Sequence, residues 1–208
     1  MTGRTPGATQ TDSYARLCAA ILAFVDQCAA PEMDRFRDNI TNWGSTRCEV
    51  ARAHLAAADF LEPALASATT ETRALLKALV DERDAVLWEQ SYKAADGLVG
   101  DDMLSRYGFV EVIGGRGPYI SSAVRAGVGV FGPRVNYPTH RHPAEEIYLV
   151  LAGSGVFEIG AAPARTVNAG ELVHVISDTP HGLHTEDTAL VVFYLWQNGP
   201  LRQTSTFL

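Results

Sequence analysis

YPTHRHPAEEIYLVLAG, residues 137–153, sets two of the chain's six histidines one residue apart at the mouth of an apolar strand. Side chains on a strand alternate between its faces, so His140 and His142 project to the same side. Pro143-Ala144-Glu145 offers a turn, after which Glu146, Tyr148 and Val150 share one face and Ile147, Leu149 and Leu151 the other. With the first face turned into a barrel, Glu146 meets both imidazoles and Tyr148 lies one step deeper. The opposite face is also apolar and cannot simply face water. It needs a cover, either the preceding helices or a second subunit, which leaves a homodimer open.

The residues around this stretch extend the pattern. From about residue 109, runs rich in Val, Ile, Phe and Tyr alternate with Gly, Pro and Asn turns: FVEVIGGRGPYI (109–120), VGVFGP (128–133), ELVHVISDTPHG (171–182) and ALVVFYLW (189–196). Strands at such regular spacing predict a sandwich or barrel over 109–208. Residues 1–108 have helical periodicity instead. Leu17, Ile21, Phe24, Val25 and Cys28 recur at helical spacing, with Asp12 or Ser13 as N-cap. Thr46-Arg47-Cys48-Glu49 has the form of a capping box and predicts an alanine-rich helix that ends before Pro63. A third helix is expected within 71–92, where Leu75, Leu76, Leu79, Val80, Ala85, Val86 and Leu87 form a broad apolar stripe. The opening residues 1–12 are polar and turn-prone, and read as a loose tail without the apolar core of a secretory signal.

Composition excludes several function classes. A net charge of −7 argues against a nucleic-acid or anionic-membrane binder, since both need a basic surface. No apolar run reaches the ~20 residues that cross a bilayer. Cys18, Cys28 and Cys48 have no CxxC spacing and read as small buried hydrophobes in a reducing, cytoplasmic setting.

About forty residues past the histidine pair, NAGELVHVISDTPHGLH (168–184) has a glycine turn, an apolar strand and a Pro-His pair, which makes His181 the natural closing ligand. HxH alone is a weak signal. HxH with Glu146 four residues on and a Pro-His at the end of a later strand is much stronger. Imidazoles plus a carboxylate form a borderline-hard donor set that suits one divalent transition ion: Zn, Fe, Mn, Co or Ni. Of the other histidines, His174 lies mid-strand, His54 sits on the expected second helix, and spacing leaves the role of His184 undecided.

These residues carry a family resemblance. THRHPAEEIYLVLAGSG resembles the first cupin motif, HxH-x3-E-x6-G, with His140, His142, Glu146 and Gly153 at the matching places. The glycine usual before the first histidine is displaced to Gly132. AGELVHVISDTPHGL resembles the second motif, with Gly170 and His181 in place and Ile176-Ser177-Asp178 where a Pro-x-Gly turn is common. The implied fold is α+β, an N-terminal helical segment packed on a C-terminal cupin jelly-roll barrel. More finely, GVFGPRVNYPTHRHPAEEIYLVLAG resembles the cupin-type dimethylsulfoniopropionate lyases, with a tyrosine before HxH and Glu-x-Tyr after it. That resemblance implies His142, Glu146 and His181 as metal ligands. It makes His140 a further ligand or a close partner of one, and Tyr137 and Tyr148 the reactive phenols.

The implied reaction needs such residues. Dimethylsulfoniopropionate, a zwitterionic sulfonium, eliminates dimethyl sulfide and leaves acrylate when a base takes the proton alpha to its carboxylate. A phenol is a suitable base if an adjacent cation lowers its pKa. Strand parity places Tyr148 beside Glu146. It places Tyr137 opposite the histidines unless Pro138 introduces a bulge. A sulfonium also favours an aromatic wall, for which Phe131, Tyr194 and Trp196 are candidates. Two alternatives remain: another metal-dependent cupin enzyme, an iron dioxygenase or isomerase, and a cupin that binds a small ligand without catalysis.

Overall fold

A computed structural model describes residues 10–42, 46–203 and 205–208. Its helices are α1 (Gln10–Gln27), α2 (Asp34–Thr41), α3 (Leu61–Ala64), α4 (Arg73–Glu82) and α5 (Asp101–Arg106). Eleven strands follow: β1 (Tyr107–Gly114), β2 (Tyr119–Ile120), β3 (Val124–Phe131), β4 (Asn136–Arg141), β5 (Glu145–Ala152), β6 (Ser154–Ile159), β7 (Arg165–Asn168), β8 (Leu172–Val175), β9 (His181–His184), β10 (Leu190–Gln197) and β11 (Thr206–Phe207). They form a six-stranded sheet, β2-β1-β3-β10-β5-β8, and a five-stranded sheet, β11-β4-β9-β6-β7.

Alternation along β5 and β10 divides the interior into two cores. Ile147, Leu149, Leu151, Phe193 and Leu195 face outward and pack with Tyr14, Leu17, Ile21, Phe36 and Leu76 of the helices. Tyr148, Val150, Val192 and Tyr194 face inward and pack with Phe157 and Leu183 of the second sheet. The helices therefore cover the outer face of β5, and that face gives no reason for a second subunit. Two contacts seat the layer: Phe24 meets Phe193 edge-on at 5.6 Å, and Thr72 Oγ1 donates to Leu151 O at 2.7 Å. Gly153, which ends the first motif, takes φ +72°, and a β carbon there would lie 1.8 Å from Ala189 O. Only glycine fits that turn.

Several helical expectations are corrected. Residues 1–9 of the expected tail lie outside the described residues, whereas α1 already begins at Gln10, so Asp12 stands in its first turn rather than at its N-cap. The capping box at 46–49 opens no helix. Cys48 N donates to Pro118 O, Ile120 N donates to Thr46 O, and Ala53 bridges Leu87. The open backbone edges of β2 and of residues 86–89 satisfy this segment's amides, and that pairing overrides alanine's helix propensity. Pro63 falls inside α3 rather than after a helix, in the first turn where its missing N–H costs no hydrogen bond. The third helix stops at Glu82, and Val86 and Trp88 are buried by strand-like alternation as Glu89 pairs with Phe109. Of the cysteines, Cys18 is buried, Cys28 is half-buried and Cys48 is exposed; all three are free. Among the described residues no helix is long and apolar enough to cross a membrane.

Candidate metal centre

Three elements converge on one point inside the barrel. β4 carries His140 and ends one residue before His142, β5 carries Glu146, and β9 opens with His181, which pairs with His140 across the sheet. All four side chains are buried. Each imidazole Nδ1 lies against a backbone carbonyl two residues away: His140 against Pro138 at 2.9 Å, His142 against Ala144 at 3.0 Å and His181 against Thr179 at 2.8 Å. A carbonyl can only accept, so every Nδ1 carries the proton and, in the neutral ring, every Nε2 presents a lone pair. The candidate ligand atoms of the three rings lie within 4.8 Å of one another.

The lone pairs are poorly satisfied by protein. His140 Nε2 and His181 Nε2 are buried without a hydrogen-bond partner among the described residues. His142 Nε2 lies 2.9 Å from Glu146 Oε2, and His181 Nε2 lies 3.6 Å from the same oxygen. With Nδ1–H already committed to Ala144, the 2.9 Å contact sets an imidazole lone pair against a carboxylate oxygen, which requires a shared proton or a cation. Burial, followed by the neighbouring His181 ring, pushes His140 down to about 3. Burial alone would raise Glu146, but the His142 and His181 imidazoles outweigh it and hold the carboxyl at about 2. Neutral imidazole and ionised carboxylate are the forms that ligate a divalent transition ion, and their carbonyl-fixed orientation is the usual support of metal-bound histidine.

Two aromatic rings brace the cluster. Tyr137 stacks on His140 at 4.1 Å and Trp196 on His142 at 3.9 Å. Tyr137 reaches the inner face because the β4–β9 register shifts between Tyr137 and His140, at the position of Pro138. A cavity of about 880 Å³ opens beside these residues, and Tyr137, Glu146, Tyr148, Phe131, Tyr194 and Trp196 all line it. Tyr194 Oη is buried with no hydrogen-bond partner among the described residues. Tyr137 Oη is 2.7 Å from Tyr92 Oη, and Tyr148 follows Glu146 by two residues on the same face of β5. Burial, reinforced by neighbouring phenols at Tyr137 and by Glu146 at Tyr148, raises both hydroxyls well above 10 in the absence of a cation. Trp196 also lies 4.8 Å from the Arg125 guanidinium, so its indole is already in contact with two protein groups.

The remaining histidines lie elsewhere. His174 Nε2 contacts Glu145 on the helix-facing side, and His54 is exposed 3.8 Å from Asp59. His184, three residues after His181 on β9, falls on the opposite strand face. Sequence reasoning missed Glu145, whose carboxylate takes Arg35 at 2.7 Å, His174 at 2.8 Å, and Gln197 and Asn198 at 3.0 Å. Its signal was a charged residue on the same strand face as Ile147 and Leu149. Arg125 was missed likewise, the one charge within VRAGVGVF, where it pairs with buried Glu111 at 2.7 Å.

The chain is similar in sequence and fold to known proteins. The dimethylsulfoniopropionate (DMSP) lyase family model matches residues 32–192. The chain is 32% identical over 129 residues to dimethylsulfoniopropionate lyase DddQ of Ruegeria pomeroyi, covering 62% of this chain and 63% of that protein. It is 38% identical over 56 residues to DddW of the same organism, covering 27% and 36%. The matched stretch thus spans less than two thirds of the curated relatives' length. Among solved structures, a chain from the crystal structures of DMSP lyases RdDddP and RnDddQII superposes with a TM-score of 0.83 at 26% identity, over 96% of this chain and 100% of that one. Ruegeria pomeroyi DddQ superposes with a TM-score of 0.81 at 27% identity, over 94% and 96%. By the family match over residues 32–192 and these superpositions, the chain is an α+β protein with a cupin barrel and belongs to the dimethylsulfoniopropionate lyase family.

Proposed function

We propose that this protein is a metal-dependent carbon–sulfur lyase that cleaves dimethylsulfoniopropionate by β-elimination to dimethyl sulfide and acrylate. The observation that carries the reading is the set of three Nε2 lone pairs and one carboxylate aimed at a single point beside two buried phenols. His140, His142, His181 and Glu146 would hold one divalent ion of the Zn, Fe, Mn, Co or Ni kind. When bound, that ion supplies Lewis acidity toward the substrate carboxylate and a positive charge that opposes the burial-driven rise of nearby phenol pKa values.

The chain's own residues account for the rest. Tyr148 or Tyr137, as phenolate, takes the proton alpha to the carboxylate. The freed electron pair becomes the Cα–Cβ double bond, the Cβ–S bond breaks, and dimethyl sulfide leaves with that bond's electrons. The tyrosine then returns its proton to water. Phe131 and Tyr194 turn aromatic surface toward the cavity, where a sulfonium cation is favoured by about 0.5–2 kcal/mol per face. Trp196 supports His142 from one side, so the aromatic wall falls to Phe131 and Tyr194 together with Phe109 and Tyr107. Three free cysteines are consistent with action in a reducing cytoplasm.

The test is headspace detection of dimethyl sulfide from purified protein loaded in turn with Mn²⁺, Fe²⁺ and Zn²⁺, with and without chelator. Release that depends on metal is expected. A folded, metal-loaded preparation that releases none with any of these ions would remove the lyase reading.

A further inference from the structure

β3 carries glycine at two inward positions, Gly127 and Gly129, between residues of the outer core, Ala126, Val128 and Val130. Glycine inside a strand weakens it and calls for a reason. At Gly127 the reason is packing: a β carbon would lie 2.1 Å from Val110 O and 2.7 Å from Tyr194 Oη. At Gly129 no such reason exists. A β carbon there would meet only Val192 Cγ2 at 3.4 Å and a Phe131 ring carbon at 3.8 Å, which is ordinary van der Waals contact. The fold would accept alanine at 129, so its absence leaves space and nothing else.

That space belongs to the cavity and is apolar and aromatic. Gly129 lies opposite Phe109 on β1 and Val192 on β10, and two residues before Phe131 on its own strand. Tyr107 stacks on Phe131 at 4.9 Å, and Phe131 in turn lies 5.9 Å from the Tyr137 ring that rests on His140. A row of rings therefore leads from the metal centre to Gly129. A ligand whose carboxylate sits at the centre would extend its cationic, alkylated end along that row.

We propose that Gly129 is the specificity-determining position for the alkyl groups on the substrate's onium centre, its missing side chain forming their seat between Phe109, Phe131 and Val192. This rests on the lyase reading for the identity of the ligand, but the seat is testable without turnover. In a close apolar pocket, one carbon more or less changes affinity by roughly 10–200-fold. Gly129→Ala therefore takes up the room of one methyl group and penalises bulky onium groups more than small ones.

The probes are 3-(trimethylammonio)propionate and 3-(triethylammonio)propionate, whose amines are poor leaving groups. Their dissociation constants are measured by calorimetry on metal-loaded wild type and Gly129→Ala, with thermal melting to verify the fold. The wild type is expected to bind both. Gly129→Ala is expected to weaken the triethyl compound at least about tenfold more than the trimethyl one. Val192→Ile, which fills the same space from the neighbouring strand, should shift the ratio in the same direction. An unchanged ratio in a folded Gly129→Ala protein, or a wild type that binds neither probe, overturns the proposal. Absence of dimethyl sulfide release with a shifted ratio would instead sink the lyase reading and leave the seat standing.

Discussion

Glu145→Ala probes how the helical layer is fastened to the barrel beside the metal centre. The Glu145 carboxylate is buried, and four donors converge on it from α2, β8 and the end of β10. Burial alone would raise its pKa, but Arg35 first, then Gln197, His174 and Asn198, outweigh it and hold the carboxyl at about 2. The four bonds are not equal. Arg35 is 60% exposed and rehydrates easily, so its share is about 0.5 kcal/mol. Asn198 also reaches water. Gln197 is 1% exposed; its oxygen accepts from Asn39 Nδ2 at 2.8 Å, but without Glu145 its amide nitrogen keeps a single bond, to Arg35 O at 3.1 Å, while His174 is largely covered. Charge-assisted bonds to these two contribute about 1.5 kcal/mol each at the low end, so Glu145→Ala should cost about 3 kcal/mol and Arg35→Ala below about 1 kcal/mol. Urea unfolding of both variants and of the double mutant reads the difference directly, the cycle isolating the Arg35–Glu145 coupling. A loss below about 1 kcal/mol for Glu145→Ala, or one no larger than for Arg35→Ala, would refute the burial-weighted reasoning.

Phe193→Ala should destabilise by about 3–5 kcal/mol in the same assay, because Phe193 is fully buried between β10 and α1 and packs edge-on against Phe24. Arg16, through bonds that include Nη2 to Glu82 Oε2 at 2.9 Å, holds the Glu82 carboxyl below its ordinary value. The stability it contributes is therefore present above the unfolded pKa of about 4.3 and lost as pH falls through the lower folded value. Melting temperature should drop over that interval, and Glu82→Gln should flatten the drop; an identical profile in the variant would count against the pair. Tyr148→Phe should lower kcat for dimethyl sulfide release by roughly 10²–10⁴-fold with metal content unchanged, as expected of a lost general base. If only Tyr137→Phe does so, the base is Tyr137.

The site was legible where local pattern alone determines geometry. Strand parity placed His140, His142, Glu146 and Tyr148 on one side of β4 and β5, and the apolar opposite face of β5 announced a cover that proved to be helical. The inward turn of Tyr137 depended on a register shift, which alternation cannot reveal and Pro138 only hinted at. What failed was the middle of the helical region. Residues 46–55 and 86–89 have helical composition, yet they lie extended because open strand edges and Phe109 claim their amides. Such long-range pairing leaves no mark on a local window. Glu145, whose partner Arg35 lies 110 residues away, and Arg125, which binds Leu201 O 76 residues away as well as Glu111 on the neighbouring strand, were betrayed only by a lone charge on an apolar strand face.

The account depends most on a cation at the convergence of the three Nε2 atoms and Glu146. Its most direct test is the metal content of untagged protein after equilibration with Mn²⁺, Fe²⁺ or Zn²⁺ and removal of free ion. About one ion per chain is expected in the wild type, and His181→Ala, folded by melting, should lose it. A folded wild type that takes up none of these ions, or a His181→Ala protein that holds them as tightly, would contradict the account.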